Sequence, residues 1–163
     1  IRDRSPSRGL GDVYKRQIYG YTMCYRYTHD QKYLDMAEKI YNFIFNNPNL
    51  PEDLVPYWDF DAPNIPNEPR DVSAAACTAS ALYELSTYIP GKNYKETADK
   101  IMENLGSPAY RAEVGTNGNF ILMHSVGSIP HGAEIDVPLN YADYYFLEGI
   151  MRKRDLESNK KLF

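Results

Sequence analysis

Cysteine, tryptophan and long hydrophobic runs are scarce in this sequence of 163 residues, which contains two cysteines and one tryptophan. Neither Cys24 nor Cys77 stands in a Cys-x-x-Cys or Cys/His spacing that would predict a metal site, and both lie among small or apolar residues typical of buried free thiols. No stretch approaches the roughly 18 apolar residues of a membrane-spanning helix. We therefore expect no metal, no other cofactor and no membrane partner.

An excess of one charge is also lacking, because 18 basic and 22 acidic residues give a net charge of −4. The basic residues are scattered among Tyr, Asp and Glu without forming a stripe, so we expect no nucleic-acid partner. Tyrosine is abundant instead, with fifteen residues. Such an excess occurs where sugars are held on amphipathic faces and also in helical cores with polar edges, and composition alone leaves both possibilities open.

No helical or strand periodicity is visible in residues 1–17, IRDRSPSRGLGDVYKRQ. The segment lacks the apolar centre of a signal peptide and resembles translated sequencing-adapter DNA. We predict a non-native or disordered leader that ends where Ile18 begins the fold. Any native segment upstream would then be out of sight, so the compartment stays open between a bacterial cytoplasm and periplasm.

Hydrophobic periodicity after residue 17 predicts an all-α chain of about five main helices. The first, third and fifth, at 18–28, 72–89 and 139–153, are apolar, aromatic or small on most sides. The second, which ends near Asn47, and the fourth, at 94–105, each carry one apolar stripe: Tyr33, Ala37, Ile40 and Ile44, and Tyr94, Ala98, Ile101 and Leu105. Buried helices that alternate with amphipathic ones predict part of an α/α barrel with inner and outer rings.

Helix caps and loop lengths support this arrangement. Asp30 and Asp71 are predicted N-caps and Gly106 a C-cap. The two long loops, 48–71 and 106–138, both lead from an outer helix to an inner one, so we expect them to meet at one end of the barrel, where function usually lies. Within the second loop, Asn117-Gly118 predicts a tight hairpin turn.

The first long loop contains candidate ligand contacts in the segment PYWDFDAPNIPNEPR. Trp58 offers a stacking face for a sugar beside the carboxylates of Asp59 and Asp61, and Arg70 offers a guanidinium fork for a carboxylate or sulfate. The same residues also have a structural interpretation, because the three charged side chains can pair with one another or bond loop amides. Both interpretations stay open, although two acids so close on one loop rarely reach the opposed geometry of a glycosidase pair.

The second long loop contains HSVGSIPHGAEIDVP, just before the fifth helix. Ser125 and Ser128 are candidate polar ligand contacts, with loop-stabilising hydrogen bonds as the alternative. His124 and His131 could join them and Asp136 in a Ser-His-Asp triad. We do not favour that triad, because no nucleophile elbow accompanies it.

Several segments together resemble glycoside hydrolase family 88, the unsaturated glucuronyl hydrolases: PYWDFDAP with EPRDVSAAA, then HSVGS, then YADYYF. The resemblance covers residues 18–153 and corresponds to the C-terminal half of the family's catalytic domain, with 154–163 as a polar tail. The family has an (α/α)6 barrel, in agreement with the alternation of helices.

The resemblance implies hydrolysis of lyase-generated oligosaccharides that end in a 4,5-unsaturated uronic acid. In the family, an Asp protonates the vinyl ether double bond and helps to deliver water to C5, and the hemiketal then collapses. This acid/base and its neighbouring Asp lie in the family's N-terminal half, so no catalytic residue is assigned here. The resemblance leaves substrate-binding roles to the loop residues Trp58, Arg70, Ser125 and Ser128.

The family pattern is incomplete at two places. Its Arg-Gly-Gln-Ala-Trp segment, which contributes ligand contacts, is absent, and residues 13–17 stand in its place. Some members recognise sulfate through Ser and Lys of the loop that matches Ser125 and Ser128. Ile129 and Pro130 provide no Lys, so a sulfate preference is not expected.

Two other functions remain as alternatives. The unsaturated rhamnogalacturonyl hydrolases share the barrel and mechanism, although PYWDFDAP favours the glucuronyl enzymes. A non-catalytic helical binding or scaffold module would also be built from α/α layers. The expected partner is an unsaturated oligosaccharide, with self-association through exposed barrel faces as a further possibility.

Overall fold

The computed structural model describes the backbone of residues 10–163 and the side chains of residues 16–163. It contains five α-helices and one two-stranded sheet: α1 (Leu10–Thr28), α2 (Gln31–Phe45), α3 (Val72–Tyr88), α4 (Tyr94–Leu105), β1 (Ser125–Ser128), β2 (Ala133–Val137) and α5 (Asn140–Glu157). Within the described residues, no helix combines the length and apolar character that crossing a membrane requires. The predicted five helices are confirmed.

Helix α1 begins at Leu10, well before the predicted start at Ile18. Residues 10–17 continue the same helix, and the guanidinium of Arg16 lies 4.9 Å from the ring centre of Tyr141 on α5. The prediction that residues 10–17 lack regular structure is therefore wrong. Residues 1–9 of the predicted leader lie outside the described residues.

The predicted caps are present. Asp30 accepts a hydrogen bond from the backbone N–H of Lys32 at the start of α2, and Asp71 accepts from Ser73 and Ala74 at the start of α3. Gly106 is the C-cap of α4. The bonds to Asp30 and Asp71 satisfy amide groups that a helix end leaves without partners, which is why α2 and α3 begin where they do.

The buried stripes follow the predicted spacing with one change. Helix α2 buries Leu34, Ala37, Ile40 and Ile44, so Leu34 occupies the position that we predicted for Tyr33, which is only partly buried. Helix α4 buries all four predicted residues together with Met102. In both helices the remaining faces carry the charged residues.

Helices α1, α3 and α5 form the inner layer and run parallel. At its middle α1 contacts α5 through Tyr19 and Tyr145, whose rings lie 5.1 Å apart, and near its end Arg26 approaches Glu84 of α3. Residues 72–85 of α3 are all buried, because small side chains let both neighbours approach closely. Helices α2 and α4 pack on the outside of α1 and α3.

Helices α1 and α5 are not buried on all sides, contrary to our prediction. Helix α5 buries Ala142, Phe146, Gly149 and Arg152, while Tyr144 and Met151 are among its exposed residues. It also continues past the predicted end at Lys153 to Glu157, so the first residues of the predicted polar tail are helical. Only α3, which has neighbours on both sides, matches the expectation for an inner helix.

Four charged side chains are gathered between the C-terminal halves of the inner helices. Arg152 lies 3.2 Å from Glu84 and 3.4 Å from Glu148, and Arg26 lies 3.5 Å from Glu84. Glu84 is 1% exposed. The ring of Phe163 lies 3.7 Å from the Arg26 guanidinium, so the end of the predicted polar tail covers this charged cluster.

The second long loop folds into a hairpin that the sequence did not indicate. Strands β1 and β2 pair antiparallel, with Val126 opposite Ile135 and Ser128 opposite Ala133, and Gly132 at φ 64° helps to close the turn. The predicted tight hairpin at Asn117-Gly118 is instead part of a short 3-10 turn, Asn117–Asn119, between segments that make one isolated antiparallel bridge. The chain reverses there, but without paired strands.

Candidate functional site

The two long loops meet at the N-terminal end of α3, as predicted. Trp58 of the first loop packs against Val126 of β1 in a small apolar cluster that also includes Ala62, with Ile129 beside it. The backbone N–H of Val72, the first residue of α3, donates to the carbonyl oxygen of His124, the residue before β1, at 3.2 Å. The start of α3 therefore joins both loops.

Asp71 and Ser125 place two buried oxygen atoms without partners at this junction. Asp71 uses Oδ1 to accept bonds from Ser73 and Ala74, and the N–H of Val126 lies 3.5 Å from the same atom. Among the described residues, Asp71 Oδ2 and Ser125 Oγ are buried and have no hydrogen-bond partner. Buried polar atoms are nearly always bonded, so each of these two atoms calls for a polar partner that the described residues do not supply.

Trp58 does not offer an open stacking face in this conformation. Its side chain is 8% exposed, and its indole N–H donates to Glu68 at 2.8 Å. The ring packs against Val126 of the hairpin in the small apolar cluster. A stacking contact between Trp58 and a sugar stays a prediction, and it would require the loop to shift.

Arg70 is engaged within the protein. Its guanidinium lies 3.2 Å and 3.3 Å from the two carboxylate oxygens of Asp53, also donates to the carbonyl oxygen of Val55, and lies over the ring of Tyr57. The predicted pairing with Asp59 or Asp61 is wrong, because the carboxylate partner is Asp53. Asp59 instead accepts a hydrogen bond from the backbone N–H of Asp61. Binding of a substrate anion by Arg70 stays a prediction.

Asp53 is a residue that sequence analysis missed, and it ties the two loops together. In addition to Arg70, it accepts a hydrogen bond from the hydroxyl of Tyr110 in the second loop, and its carbonyl oxygen accepts from Asn104 of α4. Burial and this bond to a carboxylate raise the pKa of Tyr110. No helical or strand periodicity in the sequence points to Asp53, because its partners lie far from it along the chain.

The hairpin carries two side-chain pairs and no triad. Nδ1 of His124 lies 2.6 Å from Asp136, and Nδ1 of His131 lies 2.6 Å from the hydroxyl of Ser128. Ser125 is fully buried and bonded to neither histidine. The Ser-His-Asp triad that we did not favour is therefore absent from these residues.

Tyr141 and Arg16 form the wall of the site next to α5. Tyr141 is half-buried in the first turn of α5, near the charges of Asp71, Glu134 and Arg16. Burial, above all, raises the pKa of Tyr141, and the positive charge of Arg16 opposes that rise. Tyr141 keeps its proton at neutral pH and can donate a hydrogen bond, a role that no motif or spacing in the sequence indicated.

Three features thus lie around one end of the helical layer: the N-terminal ends of the inner helices, the Asp53 contacts and the hairpin.

No family model matches the chain. An unsaturated glucuronyl hydrolase of Formosa agariphila is 49% identical over 154 residues, which cover 94% of this chain and 38% of that protein. A crystal structure described as an unsaturated glucuronyl hydrolase specific for heparin has a TM-score of 0.88 and 46% identity over 91% of this chain and 40% of its own.

The chain matches the C-terminal portion of the unsaturated glucuronyl hydrolases, glycoside hydrolase family 88. It spans about two-fifths of the length of these relatives. A more distant member, from Streptococcus agalactiae, was crystallised as a mutant complexed with dGlcA-GalNAc6S, and it has a TM-score of 0.79 and 26% identity over 92% of this chain and 42% of its own. The fold is therefore part of the family's α/α barrel, as the alternation of helices predicted.

Glycine at position 127 allows the β1–β2 hairpin to form. A Cβ built on Gly127 would lie 2.0 Å from Oε2 and 2.8 Å from Cβ of Glu134 on the paired strand. We expect Gly127→Ala to lower the free energy of unfolding by about 1–3 kcal/mol, as overpacking does, measured by urea denaturation. Gly20→Ala is the control, because its Cβ meets open space within α1 and should stabilise the chain by about 0.5–1 kcal/mol. Equal effects of the two changes would contradict the prediction.

Proposed function

We propose that this chain forms the substrate-facing C-terminal part of a glycoside hydrolase that removes 4,5-unsaturated uronic acid from the non-reducing end of oligosaccharides. The observation that carries the proposal is the junction at the start of α3. Two loops converge there, and Asp71 Oδ2 and Ser125 Oγ are buried without a partner among residues 16–163. The similarity to unsaturated glucuronyl hydrolases supports it.

The reaction adds water across a double bond and needs no displacement at the anomeric carbon. A proton adds to C4 of the vinyl ether while water adds to C5, and the hemiketal opens to release the next sugar. The proton donor belongs to the portion of the relatives that this chain does not match. The role proposed for this chain is to hold the sugar by hydrogen bonds from Ser125, Ser128 and Tyr141.

The charges of the hairpin support an uncharged contact in preference to a sulfate site. No Lys or Arg occurs in residues 125–137, whereas Glu134 and Asp136 both lie in β2. A sulfate placed here would face two carboxylates without a guanidinium or ammonium group of the hairpin to offset them. We therefore propose that the hairpin contacts hydroxyl groups, and that any sulfate of a heparin-type substrate lies elsewhere.

Binding can be tested without catalysis. We expect Ser128→Ala to weaken binding of an unsaturated heparin-derived disaccharide about 2-fold to 10-fold, the effect of one lost hydrogen bond, measured by calorimetry or by NMR titration. The matched control is Ser86→Ala near the C-terminal end of α3, where the hydroxyl bonds a carbonyl oxygen within the helix. His131→Ala removes the other member of the Ser128 pair and separates a direct contact from an effect on the hairpin.

The outcomes distinguish the possibilities. An unchanged dissociation constant for Ser128→Ala, or an equal loss for Ser86→Ala, would contradict the proposed contact. Tighter binding of a 6-sulfated disaccharide than of its unsulfated counterpart, abolished by Ser128→Ala, would contradict the proposed contact with hydroxyl groups.

A further inference from the structure

Asp53 lies where four parts of the chain meet. Its two carboxylate oxygens bind the two terminal nitrogens of Arg70 at 3.2 Å and 3.3 Å, and Oδ2 also accepts the hydroxyl of Tyr110 at 2.5 Å. Oδ1 accepts the backbone N–H of Val55 at 3.0 Å, and the carbonyl oxygen of Asp53 accepts from Asn104 of α4 at 2.7 Å. A guanidinium bound by both carboxylate oxygens is fixed in direction as well as in distance. Asp53 therefore holds Arg70 and Tyr110 in one position relative to each other.

The contact with Arg70 acts on the start of α3. Arg70 directly precedes Asp71, the N-cap of α3, and its backbone pairs with that of Tyr57 in an isolated antiparallel bridge. The backbone N–H of Asp71 donates to the carbonyl oxygen of Pro56 at 2.8 Å. A side chain that holds Arg70 thus also holds the N-terminal end of α3.

The contact with Tyr110 acts on the hairpin. The carbonyl oxygen of Tyr110 accepts the N–H of Met123 at 2.8 Å, and its ring lies 6.5 Å from the ring of His124 in an edge-to-face arrangement. His124 directly precedes β1, and its Nδ1 lies 2.6 Å from Asp136 of β2. Tyr110 is 7% exposed, so these contacts lie within the protein. The contacts that begin at Asp53 therefore end at both strands of the hairpin.

We propose that Asp53 is a positioning residue for sugar binding. Its carboxylate sets the separation between the start of α3 and the hairpin, and so places Ser125 and Ser128 at hydrogen-bond distance from the sugar. Hydrogen bonds occupy a narrow range of distances, so a small displacement of the hairpin weakens both contacts together. Asp53 acts through Arg70 and Tyr110 and does not itself touch the sugar. This inference rests on the proposed function, which supplies the sugar contacts of the hairpin.

Asp53→Asn tests the inference because it keeps the shape of the side chain and removes its charge. An amide has one acceptor oxygen, so it cannot accept from Arg70 at two oxygens and from Tyr110 as well. We expect the dissociation constant of an unsaturated heparin-derived disaccharide to rise about 5-fold to 20-fold, since each weakened hydrogen bond contributes about 2-fold to 10-fold. Tyr110→Phe breaks one of the same contacts and should raise it at least about 2-fold. The double variant should bind no more weakly than Asp53→Asn alone, because the two changes share one contact.

Asp99→Asn is the matched control. Asp99 also accepts a tyrosine hydroxyl, that of Tyr83 at 2.8 Å, and pairs with Lys95 at 2.8 Å and Lys153 at 2.9 Å, but these partners all lie on α3, α4 and α5. A purely structural role would lower the midpoint of urea denaturation in both variants and leave the dissociation constant of the folded chain unchanged in both. We expect Asp99→Asn to lower the midpoint without weakening binding of the disaccharide.

Amide hydrogen exchange provides a readout that needs no ligand. The N–H of Met123 is bonded to Tyr110, and the N–H of Val72 is bonded to His124. Relative to amides in the middle of α3, both should exchange faster in Asp53→Asn than in the parent chain, and neither should do so in Asp99→Asn. Unchanged exchange at both amides in Asp53→Asn would overturn the positioning role, whether or not the sugar binds.

The binding outcomes separate this inference from the proposed function. An unchanged dissociation constant for Asp53→Asn, or an equal rise for Asp99→Asn, would overturn the positioning role. Weaker binding by Asp53→Asn with none by Tyr110→Phe would also overturn it, because Asp53 would then contact the sugar directly. A parent chain that binds no disaccharide would contradict the proposed function, and hydrogen exchange would still decide whether Asp53 holds the hairpin to the start of α3.

Discussion

Glu84→Ala is expected to lower the free energy of unfolding by about 3–5 kcal/mol, the usual cost of removing one partner from a buried ion pair. Glu84 is buried between Arg26 and Arg152, at 3.5 Å and 3.2 Å. It also accepts a hydrogen bond from Tyr88, and burial together with this carboxylate raises the pKa of Tyr88 to about 12. Its removal would leave two guanidinium groups in a poorly hydrated place. Thermal or urea denaturation measures the effect.

Two variants make this prediction specific. Glu38→Ala removes a carboxylate that pairs with Lys92 at 2.9 Å near the surface, and it should cost at most about 1 kcal/mol. Replacing both members of the buried pair, Glu84→Leu with Arg152→Met, should recover part of the loss, because Arg152, the more buried of the two guanidinium groups, is then no longer left without Glu84. A Glu84→Ala effect as small as that of Glu38→Ala would show that water already reaches the cluster.

The second large effect concerns activity. Mixed with an unsaturated glucuronyl disaccharide, the chain alone is expected to leave the ultraviolet absorbance of the conjugated double bond unchanged. The family resemblance places the acid/base in the portion that the chain does not match, and a positioned acid/base contributes a factor of about 10² to 10⁴. The Formosa agariphila relative, assayed in parallel, provides the reference rate.

A steady loss of absorbance in proportion to the concentration of the chain would contradict this expectation. The proton donor would then be a carboxylate of the first loop, Asp59, Asp61 or Asp71. Asp61 is exposed, whereas the other two are buried. Asp61→Asn and Asp71→Asn, assayed separately, would identify which of them acts.

Local patterns predicted the helices well, because each pattern reports on a short stretch of chain. The spacing of Ala37, Ile40 and Ile44 fixed the buried face of α2, and Asp71 fixed the start of α3. The start of α1 was missed because residues 10–17 carry no apolar stripe, and their helix is held by continuity with Ile18 and by Arg16 on Tyr141. The chain reverses at Asn117-Gly118, as that strong local signal predicted, between segments that form an antiparallel bridge. The β1–β2 hairpin was missed because its strands depend on pairing between residues 125 and 137.

The amino-acid sequence by itself determined the helical layers, the convergence of two loops and the family, since these follow from periodicity, turn chemistry and motifs within short segments. Only the tertiary structure decided what the candidate site residues do in the free chain. In the structure Arg70 pairs with Asp53, and Trp58 packs against Val126 of the hairpin. Ser125 and Asp71 each have a buried oxygen atom that no described residue bonds. The reason is that a side chain's partner depends on distances between residues far apart along the chain, and no spacing in the sequence encodes those distances.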